Sequence, residues 1–254
     1  MDPILIQYRF NLPDRSQESF TFQLVPGDID LVRRSVEDLP PWTRLDFHRC
    51  PRCPLEAATH PTCPLAASLV DIVARFDRFV SYEQLELEVR IGSKKISQTA
   101  SVQKAISSMM GLVIAICGCP VTAFFKPMAF FHLPLANEEE TVYRAASTYL
   151  LAQYFQARHG SSFDLNLEGL TKIYRDIHEV NVAVARRLRA ASKKDSSVNA
   201  IILLDLFAKA LPYAIQESLE EISHLFAPYV LSGSKGAHKK SNSSPMSTEG
   251  QHDR

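Results

Sequence analysis

The chain has 254 residues and carries 28 basic and 28 acidic side chains, so its formal net charge is zero. Hydrophobic residues make up 46%, which excludes a disordered chain and permits a sizeable core in one large domain or two small ones. There is no basic excess, so no nucleic-acid partner is expected. No apolar run reaches the roughly 18 residues of a membrane helix, and the start Met1-Asp2-Pro3-Ile4 lacks the basic and apolar regions of a secretory signal. The expectation is a cytoplasmic protein with no membrane partner. Its five cysteines then read as ligands, redox groups or core residues rather than as a disulfide framework.

In chain order, Ile4 to Phe10 and Phe20 to Val25 are β-rich runs on either side of a polar stretch, a hairpin with a long turn. After Pro40-Pro41-Trp42, the alternation of Thr43 to His48 reads as a short edge strand. Pro64 opens a helix striped by Leu65, Leu69, Val73, Phe76 and Val80. Leu85, Leu87, Val89 and Ile91 alternate with charged residues, a half-buried strand. Lys95 to Gln98 returns beside it after the turn at Gly92. Ser101 caps a helix through Val102, Ala105, Ile106, Met109, Val113 and Ile116, with Gly118 as its C-terminal cap. Phe124 to Leu135, broken by Pro127 and Pro134, reads as a docked loop.

Asn137 with Glu140 forms a capping box for a helix ending at Gly160. Leu170, Ile173, Tyr174, Ile177, Val180, Asn181, Val184 and Leu188 stripe the next helix. A third begins at Ser196 or Ser197, and Pro212 kinks it or starts a fourth running to about residue 226. The fold class is therefore α+β: a small antiparallel sheet with two helices, followed by a C-terminal bundle of about four helices. The division is 1–135 for the α+β part with the Cys/His loop, 136–230 for the helical bundle sharing one core with it, and 231–254 for a disordered tail.

The chemistry concentrates between residues 50 and 63. Cys50-x2-Cys53 is followed, six residues on, by His60-x2-Cys63. Two short turns of this kind aim four soft ligands at one centre, as in tetrahedral zinc sites. The prolines at 51, 54, 61 and 64 stiffen the loop and lower the entropy lost on ordering it. Two other readings compete: small buried cysteines, and a redox Cys50-Pro-Arg-Cys53 motif. Against the redox reading, no helix opens at Cys53. Cys119 lies past a helix end and competes with His60 for the fourth place. A shell of Cys50, Cys53, Cys63 and Cys119 suits zinc or an iron–sulfur centre. Cys117 falls on the helix as a core residue.

Cys50-Pro-x-Cys53-Pro-Leu, His60-Pro-x-Cys63-Pro, Gly118-Cys119-Pro120, Phe131-His132-Leu133-Pro134, the run Glu139 to Ala145, the run Tyr149 to Phe155 and Asn199-Ala200 carry a resemblance. Over nearly the whole chain, the sequence resembles an uncharacterised bacterial family, a domain of unknown function. In that family the position of Cys117 is usually serine, whereas Cys119 matches the pattern. The resemblance thus implies the all-thiolate shell, and it implies no activity.

Other groups read as structural. His132 reads as a buried loop histidine with a backbone partner, against the alternative of a fifth metal ligand or a base beside Cys119. Glu221 with His224, and His178 with Glu179, lie on helices without the remainder of a metal motif. Asn181 on its apolar stripe is a satisfied core polar residue. Arg186, Arg187, Arg189, Lys193 and Lys194 form a solvated basic helix end. The functional expectation is a non-enzymatic binding or regulatory protein, with a protein partner and a structural zinc held by Cys50, Cys53, Cys63 and either His60 or Cys119. The alternative is a metal-dependent or thiol-redox enzyme, iron–sulfur chemistry included, on the same cysteines.

Overall fold

A computed structural model describes residues 2–25, 27, 29, 39–160 and 162–229. The expected disordered tail at 231–254 lies outside the described residues. The chain divides into two compact units, residues 1–215 and 216–254. Of the second, the described part ends a helix at Glu221 and makes a 3-10 turn over Ser223–Phe226.

The first unit is α+β. Strands β1 (Ile4–Asn11) and β2 (Gln17–Leu24) form the expected hairpin. Strands β3 (Gln84–Ile91) and β4 (Lys94–Ser101) form a second one. All pairings are antiparallel, in the order β2-β1-β3-β4. Tyr8 sits opposite Phe20 on one side and Val89 on the other. Strand alternation sends Ile6, Tyr8 and Phe10 to one face with Phe20, Phe22, Leu87 and Val89, all buried.

Helix α1 (Pro64–Phe76) covers that face. Its Phe76 ring lies 4.9 Å from Phe10 and 6.0 Å from Phe20. Helix α2 (Val102–Ile116) starts on Ser101, whose side chain accepts the Lys104 backbone N–H. Every residue of its predicted stripe is buried. Gly118 takes the left-handed conformation, φ 78°, that ends the helix.

Two local expectations change. Thr43 to His48 is no strand. Pro41–Thr43 is a 3-10 turn, followed by a single bridge from Arg44 to Thr62. The Thr43 hydroxyl donates to the Pro40 carbonyl at 2.7 Å and favours the turn. The docked loop at 124–135 is partly helical, with a 3-10 turn over Pro120–Phe125 and a short α3 over Lys126–Phe130. Pro120 and Pro127 stand in the first turns of these elements, where a missing N–H costs nothing; they start structure rather than break it.

Helix α4 (Glu138–Arg158) begins with both halves of the Asn137–Glu140 capping box. Helix α5 (Glu168–Ala191) and helix α6 (Ser196–Glu221) follow. Pro212 lies inside α6 and starts no new helix. Leu211 and Ile215, both buried, anchor the turns around it, and the missing N–H removes a single hydrogen bond. One continuous core contains the sheet face, α1, α2 and the buried stripes of α5 and α6. No single helix among the described residues is long and apolar enough to cross a membrane.

Candidate functional site

Cys50, Cys53, Cys63 and Cys119 line one small cavity of about 30 Å³. Its other walls come chiefly from Leu45, Leu65, Val121 and the α5 residues Val180, Val184 and Arg187. None of the cysteines is in a disulfide.

Each thiol is positioned by its own local structure. The Cys53 N–H donates to the Cys50 carbonyl at 3.1 Å, closing the Cys-x2-Cys turn. Cys63 is the residue before α1, and its N–H donates to the Thr43 carbonyl at 2.7 Å. Cys119 holds the same place before the 3-10 turn at Pro120. All four cysteines immediately precede a proline, which biases a residue toward extended backbone. Cys63 and Cys119 show it, with ψ of 119° and 124°. Cys117 precedes Gly118 instead and points into the core, its thiol 3.1 Å from the Ile114 carbonyl. The shared Cys-Pro dipeptide is thus the sequence signal that separates Cys119 from Cys117 without any family comparison.

His60 is elsewhere. It is exposed, its Nδ1 lies 3.0 Å from the Thr59 hydroxyl, and it does not line the cavity. Among the described residues, no three or more His, Cys, Asp and Glu side chains are set for holding a metal ion as they stand.

Arg187 is the residue that sequence reasoning missed. The basic run suggested a solvated end, yet Arg187 is 2% exposed. Its position three residues after Val184 puts it on the apolar stripe of α5, which was the available signal. Nη1 donates to the carbonyls of Trp42 and Arg44 at 2.8 and 2.7 Å, and Nη2 to that of Leu45 at 3.1 Å. The guanidinium therefore fastens the loop that carries the cysteines to α5. Arg52, between Cys50 and Cys53, adds exposed ion pairs to Asp176 and Glu179 of α5, both at 3.0 Å.

Among the described residues, no carboxylate forms an ion pair with Arg187. Burial depresses its pKa, and the groups that offset this are, in order, Cys63, Cys53, Asp46 and Cys50. Burial also pushes the Cys50 thiol up to about 11 and raises that of Cys119. This is the reverse of the thiolate activation on which a redox or nucleophilic cysteine relies.

An α+β unit with a cysteine-lined cavity clamped by a buried arginine is the class that the geometry defines. The chain belongs to the family described as a domain of unknown function (DUF6901), whose model matches residues 6–227. Comparison with curated proteins and with solved structures returns no match.

Proposed function

We propose that the protein is a non-enzymatic binding protein in which Cys50, Cys53, Cys63 and Cys119 hold a structural zinc ion. The observation that carries this reading is Arg187, a buried cation with no carboxylate partner among the described residues, in the wall of a cavity lined by four cysteines. A zinc ion bound by four thiolates carries a net charge of about −2. Such a centre supplies the anion that a buried guanidinium needs, since a buried charge is tolerated when paired. Cys63 supports the same reading from its place at the start of α1, where the helix dipole favours negative charge and its thiol caps no backbone N–H. The metal would tie together three separate pieces of chain: the Cys50–Cys53 turn, the start of α1 and the end of α2. Metal binding displaces the thiol protons, including those that burial holds on Cys50 and Cys119.

Elemental analysis of protein purified without a metal-binding tag tests this. One zinc per chain is expected, lost in Cys53→Ser together with a fall in melting temperature. A metal-free wild type whose melting temperature zinc and chelator leave unchanged would contradict it. Visible absorbance with iron in place of zinc would move the same four cysteines to an iron–sulfur role.

A further inference from the structure

The same core contains a second, larger cavity of about 470 Å³, within the range of small-molecule sites. Its walls are mostly apolar, with Leu112, Ala115, Phe125, Ile177 and Phe207 among them, and the exposed Lys104 and Glu138 mark where it meets solvent. Among the polar side chains that interrupt the apolar lining are His132, Arg144, Tyr174 and Asn181.

Two of these belong to nearly buried residues yet turn their polar atoms to the cavity. Tyr174 is 5% and Asn181 3% exposed, and neither side chain hydrogen-bonds a described residue. Sequence reasoning expects Asn181 to be satisfied within the core; the structure instead leaves its amide on a cavity wall. The hydrogen-bonding capacity of both groups is therefore open to water or to a ligand in the cavity rather than spent on the chain. Arg144 has the same character. Its Nη2 donates to the carbonyls of Met128 and Phe131 at 2.6 and 3.2 Å. Its Nε and Nη1 make no hydrogen bond with described residues, and no carboxylate among them forms an ion pair with it. His132, by contrast, is spoken for: its Nε2 is bonded to the buried Tyr8 hydroxyl rather than to backbone. Ser108 holds the next turn through its bond to the Leu135 N–H at 2.9 Å. The polar groups therefore stand on a fixed frame.

We propose that this cavity binds a small, elongated, apolar monocarboxylic acid, with its carboxylate on Arg144 and Tyr174 and a second polar group on Asn181. A guanidinium with free donors on two nitrogens matches a planar carboxylate, and the Tyr174 hydroxyl supplies a further donor. Tyr174, Ile177 and Asn181 lie along one face of α5. Seven residues at a rise of 1.5 Å set Tyr174 and Asn181 about 10 Å apart, with Ile177 between them. The ligand is therefore polar at both ends and apolar in the middle.

Calorimetric titration of the full chain with octanoate, ω-hydroxyoctanoate and octanol tests the proposal. Octanoate binds at least about tenfold more tightly than octanol, and ω-hydroxyoctanoate more tightly than octanoate. Arg144→Gln, which keeps a donor for the Met128 carbonyl, abolishes the preference for octanoate over octanol. Tyr174→Phe weakens both acids and leaves octanol unchanged. Asn181→Leu removes the advantage of the hydroxylated acid and leaves octanoate affinity in place. Equal affinity for octanoate and octanol, or no octanoate binding below about 10 mM, overturns the proposal. So does a hydroxyl preference that survives Asn181→Leu.

Discussion

Two cavities lie along the same helix, and each has in its wall an arginine without a carboxylate partner among the described residues. Tyr174, Ile177 and Asn181 of α5 face the larger; Val180, Val184 and Arg187 face the smaller. The difference is in what else lines them. Around Arg187 the chain itself supplies four thiols and three backbone carbonyls. Around Arg144 it supplies two carbonyls, and the side chains of Tyr174 and Asn181 hydrogen-bond no described residue. The first cavity has the donor set to enclose an ion permanently, whereas the second has recognition groups and space. One reads as architecture and the other as a place for a visiting ligand.

The largest effect expected on this comparison comes from Arg187→Leu. It should destabilise the protein by about 3–5 kcal/mol in urea unfolding, because it leaves three carbonyls and the proposed anionic zinc centre uncompensated. The same substitution in a Cys53→Ser background should cost clearly less. An equal cost in both backgrounds would separate Arg187 from the metal. Phe76→Ala supplies the contrast. It should cost a similar amount, about 3–5 kcal/mol, by opening a void among Phe10, Phe20 and Phe79, while the zinc content stays unchanged.

A smaller effect comes from pH. Burial, with the Arg144 charge second, holds His132 neutral down to about 3, against an ordinary value of 6.5. The groups facing it are Arg144 and the hydroxyl of Tyr8, whose own pKa burial raises. Between those two pH values the unfolded chain binds the extra proton. Stability is therefore full above about 6.5 and falls as the pH drops toward 3, by up to about 1.4 kcal/mol per unit. Unfolding at pH 7 and pH 5 should show this loss, and His132→Gln should flatten it. The smallest effect is Asn137→Ala, about 1 kcal/mol from the capping box of α4, with metal content and acid binding both unaffected.

The fold was legible wherever periodicity or a cap carried the information. The strand alternation from Leu85 to Ile91, the stripe of α2 and the Asn137–Glu140 box each specify their element locally. The turn at Pro41–Thr43 was not legible, because a six-residue alternation is too short to outweigh a proline pair and a threonine that bonds backward. In the site, the spacing of Cys50, Cys53 and Cys63 pointed to one place, and all three line the small cavity. The choice between His60 and Cys119 depends on how α2 ends against α1 and α5, which is a tertiary fact. Arg187 was misjudged because its charge outweighed its position on the buried face of α5, whereas Asn181 was placed on that face and only the cavity beside it, a tertiary fact, was missed. Both proposed roles fall on a polar residue in register with an apolar stripe.

The zinc-to-protein ratio of His60→Ala compared with that of Cys119→Ser tests the central claim most directly. The account predicts one zinc per chain in His60→Ala at an unchanged melting temperature, and its loss in Cys119→Ser. Zinc retained without Cys119 and lost without His60 would contradict it, placing the metal in a local loop rather than across the core.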